Sequence, residues 1–164
     1  MVKYLSKSFI INFLLILIIF FLDRFSKVYV INFYEKNYGS DIYSSKFLNI
    51  SLIWNEGIAF GLFSFSDKFF YHILSFLIGA VILIIIVMLN RSEGLKKYSL
   101  ILILGGALGN FYDRIVFEAV PDFIDFHVEN FHWFIFNVSD IFICLGVIFM
   151  IILEIVSNKK ESLE

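Results

Sequence analysis

The sequence predicts an all-α membrane protein, four transmembrane helices with a small extracytoplasmic β-sheet, and three observations carry that fold class. The 164 residues are 60% hydrophobic and only 17% charged, where a soluble domain has roughly 45–50% and about 25%. Long apolar stretches recur four times along the chain. Between the first two lies a segment whose side chains alternate with the period of a strand. A mean hydropathy of +0.86 agrees with this class. The same figures exclude a disordered chain, a coiled coil and a nucleic-acid-binding protein, and they disfavour a soluble enzyme. Net charge is −2, so the overall balance points to no anionic partner. A single cysteine, Cys144, excludes a disulfide framework or a Cys-based metal cluster. The length fits one domain over residues 1–164.

The apolar stretches are Phe9–Leu22, Phe69–Leu89, Leu100–Ala107 and Ile141–Leu153. A crossing needs about 20 residues, so only the second passes unaided. The others borrow length from polar neighbours: Asp23 to Lys27 after the first, Gly109 to Arg114 after the third, Asn137 to Asp140 before the fourth. Helices are expected near 9–30, 69–90, 98–113 and 138–156. Within Lys46–Phe65, Phe47, Asn49, Ser51 and Ile53 alternate with Leu48, Ile50, Leu52 and Trp54, which suits a strand. Gly57 and Gly61 then interrupt it as in a bend or bulge, and the outer sheet region is placed near 33–66. Lys3 and Lys7 before an apolar run have the layout of a secretion signal. No small-x-small site follows Phe20-Phe21-Leu22-Asp23, so this segment is expected to stay as a membrane anchor.

Orientation follows from the basic residues. Lys3 and Lys7, then Arg91, Lys96 and Lys97, then Lys159 and Lys160 make up seven of the thirteen, concentrated in three short segments. The positive-inside tendency puts both termini and the middle loop in the cytoplasm. Asp23 and Lys27, Asn110, Asp113 and Arg114, and Asn137 and Asp140 then all fall at the outer face. Ionisable groups in spans are costly and normally face a bundle interior or a water-filled cavity. Three such clusters converging on one face point to a site.

Asp122 and Asp140 are the most informative pair. Asp122 lies in the apolar loop Val120-Pro121-Asp122-Phe123-Ile124-Asp125-Phe126-His127, and Asp140 opens the fourth helix, one turn after Asn137. Two carboxylates brought together at a membrane surface cannot both ionise easily, because desolvation and like charge push their pKa values apart. Such a pair can activate water and protonate a leaving amine, hydrolysing a peptide without metal or covalent intermediate. The bland alternative is that Asp122 caps a turn and Asp140 caps its helix. The residues alone also leave Asp125 open as the partner.

The supporting groups have bland readings too. Asn110, Asp113 and Arg114 stand at i, i+3 and i+4 and share a helical face. Arg114 either pairs with a carboxylate, binds a substrate carbonyl or phosphate, or simply snorkels at the interface. Asp23 and Lys27 form an i, i+4 pair in the favourable order, and an interfacial ion pair would look the same. Asn55 beside Gly57 either offers amide hydrogen bonds to a ligand or is a turn residue. His72, His127 and His132 show no zinc-type spacing, so no metal site is expected. There is no nucleophile elbow or phosphate loop, and Cys144 is most simply a core residue.

In four ordered motifs the chain resembles the bacterial lipoprotein signal peptidases (signal peptidase II), a family of four-helix membrane aspartyl peptidases. Asp23-Arg24-Phe25-Ser26-Lys27 is similar to D-x-x-S/T-K. Asn55-Glu56-Gly57-Ile58-Ala59-Phe60-Gly61 is similar to N-x-G-x-A-F/W-G/S. Gly106 to Arg114 resembles G-A-x-G-N-x-x-D-R, followed by Val120 to Asp125 for V-x-D-F-I-D. Phe136-Asn137-Val138-Ser139-Asp140 resembles F-N-x-A-D. The resemblance implies a catalytic dyad of Asp122 and Asp140, against Asp125. It implies that Asn55, Gly57, Asn110, Arg114 and Asn137 line the site, with Asp23, Lys27 and Asp113 supporting them. The implied substrate is a diacylated prolipoprotein cleaved just before its lipidated cysteine, with no metal or cofactor. The implied setting is the bacterial cytoplasmic (inner) membrane, among membrane lipids and as a monomer.

Two positions depart from the pattern. Pro121 precedes Asp122, fixing its own φ and removing a donor, and Ser139 replaces the usual alanine, adding a hydroxyl that can bond Asp140 or the helix N-terminus. A second reading, a small proton-coupled carrier or channel using Asp23, Asp122, Asp140 and Arg114, requires a polar path to the cytoplasmic side. The inner halves are nearly pure Ile, Leu, Val and Phe apart from Asn12 and Glu154, which disfavours it. A third, a structural membrane subunit, gives the shared polar face no purpose.

Overall fold

Each apolar run becomes a helix, and the polar extensions, Asn137 apart, are helical as well. The computed structural model describes residues 7–57, 68–129 and 131–161. Helix α1 spans Lys7–Lys36, α2 Lys68–Arg91, α3 Gly94–Phe117 and α4 Val138–Glu161. All four are long and apolar enough to cross a membrane. Strands β1 (Tyr43–Ser44), β2 (Leu48–Asn55), β3 (Val120–Val128) and β4 (Phe131–Phe136) form one antiparallel sheet in the order β1-β2-β3-β4. The protein is thus a four-helix membrane protein carrying a small sheet, as its composition and patterning predict.

The helices run longer than expected, most of all α1, which continues past residue 30. A helix of 30 residues is about 45 Å long, and a hydrocarbon layer is about 30 Å thick. It is thus longer than a crossing needs, and the polar Asn32, Glu35 and Lys36 of its last turns are exposed. Asn37 and Gly39 close α1 by donating to the carbonyls of Phe33 and Tyr34, with Gly39 at φ 84°, a left-handed position that suits glycine.

The sheet corrects the expectation more sharply. Among the described residues between 33 and 66, only 43–44 and 48–55 are strand, and residues 33–36 still belong to α1. Half of the sheet comes instead from 120–136, including the segment read as a loop around Asp122. The bulge in β2 lies between Ile50 and Ile53, not at a glycine. Gly57 forms a bend that ends the strand, as expected, and Gly61 lies outside the described residues.

Helix α3 packs against each of the other three. Glycines let it approach α4 closely: a Cβ on Gly106 would stand 2.5 Å from the Ser139 carbonyl oxygen, and one on Gly146 2.6 Å from Ile103 Cγ1. Small residues at such crossings replace the hydrophobic drive that lipid does not supply. The apolar core joins Ile19 to Ile82, Ile85, Leu89, Leu100, Ile101 and Leu104, while side chains such as Phe76, Leu83 and Ile155 face outward.

The buried face of α1 is Ile19, Asp23, Lys27 and Val30, one stripe at helical spacing. Lys27 is fully buried, and its ammonium donates to Asp23 Oδ2 at 2.9 Å, Asn110 Oδ1 at 2.8 Å and Asp113 Oδ2 at 2.7 Å. Arg24 Nη1 stands 2.6 Å from Asp113 Oδ1, an ion pair off the hydrogen-bond direction, and its guanidinium lies over the Tyr112 ring. Two cations thus face two carboxylates, and all three Lys27 donors are used. Removing one partner from a buried set of this kind costs about 3–5 kcal/mol. Lys27→Met should lower the thermal unfolding midpoint in detergent accordingly. Lys96→Ala, at the exposed 3.4 Å pair with Glu154, should change stability by less than about 0.5 kcal/mol. Equal melting of the two variants would mean that the buried set does not hold the bundle.

Candidate active site

The polar ends of α1 and α3 meet the start of α4 at the end of the bundle where the sheet sits. Asn137 stands immediately before α4 and closes a reciprocal cap. Its side-chain Oδ1 accepts from the Asp140 backbone N–H at 3.2 Å, and its own backbone N–H donates to Asp140 Oδ2 at 3.1 Å. This satisfies N–H groups that a helix start otherwise leaves unpaired. The remaining Asn137 amide donates to Asp122 Oδ1 at 2.6 Å. One fully buried asparagine therefore touches both aspartates.

Each aspartate has one further asparagine. Asn110 Nδ2 donates to Asp140 Oδ1 at 2.7 Å, its carbonyl oxygen being held by Lys27. Asn55, the last residue of β2, donates to Asp122 Oδ2 at 2.9 Å and accepts the Gly57 N–H at 2.9 Å. Asp122 is 4% exposed. Burial first, and the Asp140 charge second, outweigh the two amide donors and push its carboxyl up to about 6.

The structure thus brings Asn55, Asn110 and Asn137 onto the two carboxylates, with Asp23, Lys27 and Asp113 one step behind. Asp23 also reaches α4, accepting the Ser139 N–H at 2.9 Å. Arg114 is placed differently from the carboxylate pairing considered above. It donates to the carbonyls of Asn110 and Gly57 at 3.3 and 3.2 Å, tying the end of β2 to α3. Asp125 does not share the asparagines: it accepts from His132 Nδ1 at 2.8 Å.

Three other expectations change. Asp122 caps no turn, because it lies within β3 opposite Ile53. The Ser139 hydroxyl bonds neither Asp140 nor the helix start and is buried without a partner among the described residues, since Asn137 and Asp23 already occupy those groups. Cys144 is exposed rather than core, because it lies one turn after Asp140 and lines the same cavity. Pro121 fits without strain on the ladder: β3 pairs only with β2 there, and pairing to β4 begins at Ile124.

Beside the aspartates opens a cavity of about 480 Å³ whose walls include Phe134, Phe136, Ile141, Cys144 and Leu145. A second, of about 410 Å³, lies along Trp54, Gly57 and Trp133 and shares Asn55 and Asp122 with the first. The β4 wall was not foreseen: its aromatic run Phe131 to Phe136 carries no polar alternation that would mark a strand. Below the polar set lies the apolar core around Ile19 and Leu104; the buried Ser75 and Ser99 bond carbonyls of their own helices and form no polar path for a carrier among the described residues.

Comparison with known proteins identifies the family. A sequence model of the signal peptidase (SPase) II family matches residues 15–156. The chain is similar to a lipoprotein signal peptidase of Pelagibacter ubique, 49% identical over 96% of this chain and 95% of the relative. It is 37% identical to that of Francisella tularensis subsp. novicida over 91% and 94%. A bacterial membrane enzyme solved by the in meso method at 2.3 Å superposes with a TM-score of 0.70 at 28% identity, covering 97% of this chain and 95% of that one. With the match spanning all four helices and the sheet, the chain belongs to the signal peptidase II family of membrane aspartic peptidases.

Proposed function

We propose that this enzyme removes signal peptides from prolipoproteins whose cysteine already carries diacylglycerol, cleaving just before that cysteine with Asp122 and Asp140 as the catalytic pair. The observation that carries the reading is Asn137 bonded to both carboxylates, by its side-chain amide to Asp122 and by its backbone N–H to Asp140, beside an apolar cavity. Family membership supports prolipoproteins as substrates. The apolar walls suit acyl chains and the hydrophobic stretch of a signal peptide. Action as a monomer among membrane lipids is part of this reading.

One aspartate of the pair carries a proton and the other is ionised. The ionised carboxylate takes a proton from water as the water oxygen attacks the scissile carbonyl carbon. The protonated partner hydrogen-bonds the carbonyl oxygen and gives up its proton as the tetrahedral diol forms. On collapse the protonated carboxyl gives its proton to the leaving nitrogen as the C–N bond breaks, and the ionised one takes a proton from a diol hydroxyl as the carbonyl re-forms, so the pair again holds one proton. This chemistry needs neither metal nor cofactor. The asparagines hold the carboxylates in place with neutral donors, and Arg114 keeps Gly57 and the end of β2 over the site.

Asp122→Asn and Asp140→Asn should each lower release of signal peptide from a diacylated prolipoprotein by about 10²–10⁴-fold while the protein stays folded. Near-native turnover in either variant removes the dyad. The proton on the pair sets the alkaline limb. With Asp122 raised to about 6, against an ordinary value of about 3.9, activity should fall as pH rises only at about 6 or above. A limb near 4 would contradict a shared proton.

The basic segments at the opposite end support a cytoplasmic location for both termini and the α2–α3 turn, with the aspartates at the extracytoplasmic face. In a Cys144→Ala background, a cysteine at Ser40 should react with a membrane-impermeant maleimide in intact cells, and one at Glu93 only after lysis. The reverse pattern would invert the topology.

A further inference from the structure

At the far end of the β3–β4 hairpin lies a group that the dyad chemistry does not use. Asp125 and His127 alternate along β3 and so share a face. The pairing of β3 with β4 slips by one residue between Phe126 and His127, which leaves Trp133 as the additional residue and sets His132 directly opposite His127. Without the slip His127 would face Trp133. The bulge therefore brings together three side chains whose sequence spacing resembles no metal motif. The two imidazoles stack with centroids 5.2 Å apart and planes 23° from parallel.

We propose that Asp125, His127 and His132 form a binding site for a divalent transition-metal ion of the zinc class. Two ring nitrogens and one carboxylate oxygen are the donor set such ions prefer, with a fourth position left to water. The donor atoms lie within 4.8 Å of one another. His132 Nδ1 is 2.8 Å and His127 Nδ1 3.8 Å from the same Asp125 oxygen. Donors around a tetrahedral zinc ion stand about 3.3 Å apart, from bonds of roughly 2.0–2.2 Å, so small side-chain rotations suffice.

A second, independent observation points to a ligand there. The His127 side chain is only 10% exposed, and its Nδ1 is buried without a hydrogen-bond partner among the described residues. Buried polar atoms are normally paired, and an ion held by Asp125 Oδ2 would complete this one. His132, half exposed, gives the ion a way in. The site grips both strands of the hairpin, so an ion would clamp the element that carries Asp122 at one end and the Phe134 wall at the other. His132 lines the second cavity together with Asp122, and the test of the site reads metal uptake, separately from the peptidase reaction.

Untagged, metal-stripped protein in detergent should be titrated with Zn²⁺ by calorimetry and with Co²⁺ by visible absorption. One ion per chain is expected, with a tetrahedral cobalt spectrum and a raised unfolding midpoint. His132→Gln and His127→Gln should each weaken binding at least about tenfold and abolish the rise in midpoint. Asp122→Asn should bind as the parent does. Because His132 is half exposed, its variant is expected to fold. Wild-type protein that takes up no stoichiometric ion, or a His132→Gln variant that binds like the parent, overturns the site and leaves a simple histidine–aspartate hydrogen bond.

Discussion

The buried ammonium of Lys27 is the interaction on which the polar end of this molecule depends. An isolated charge in a membrane span is expensive, and Lys27 has no exposed surface at all. Its cost is offset because each of its three donors meets an acceptor at 2.7–2.9 Å. Those acceptors come from α1 and α3, so the ion set fixes how the two helices face each other. Its other consequence is directional. The Asn110 carbonyl oxygen is turned toward Lys27, so its amide nitrogen has to face Asp140. A flipped amide would set donor against donor and acceptor against carboxylate. The orientation of a group touching the proposed catalytic pair is thus decided by a lysine on another helix.

Asparagine is the residue in contact with both aspartates at every point, and its neutrality matters. A lysine or arginine at 55 or 137 would also donate to Asp122, but its charge would hold the carboxyl ionised and lower its pKa. Amide donors orient the carboxylate while leaving burial and the neighbouring Asp140 to dominate, which is how Asp122 comes to about 6. The cations are kept one residue further back. Lys27 and Arg24 answer Asp23 and Asp113, and Arg114 answers backbone carbonyls. Charge neutralisation is therefore spatially separate from the pair proposed to share a proton.

How much of this was legible in the sequence follows from how local each signal is. Helix positions and the gathering of Asp23, Asn110 and Asn137 at one end rest on hydropathy and helical spacing within single segments, and the contacts among them bring those residues together as the spacing implied. The helix ends were set too short because polarity was read as termination, whereas Asn32 to Lys36 remain helical. The second half of the sheet was missed because β3 gains its strand character by pairing with β2, about 70 residues away in sequence. The role of Asn137 as a bridge was likewise invisible, since it needs Asp122 delivered from that strand. The histidine pair is the extreme case: a one-residue slip decides it, and nothing in the spacing of 127 and 132 encodes a slip.

The two aspartates are consequently held by different kinds of constraint. Asp140 sits in the first turn of α4, fixed by a local cap and by close helix packing at Gly106 and Gly109, where a side chain on Gly109 would collide with Ser139 and Asp23. Asp122 is fixed by strand register, and a shift of one residue in β3 would turn it to the other face of the sheet. The β2 bulge between Ile50 and Ile53 sets that register, since it is what aligns Ile53 with Asp122 and Asn55 with Val120. Asn137 joins the two systems, belonging to the cap and bonding the strand. The helical half derives its precision from a rigid apolar bundle. The sheet half rests on hydrogen bonds at the edge of that bundle, and so on whatever steadies the hairpin beyond it.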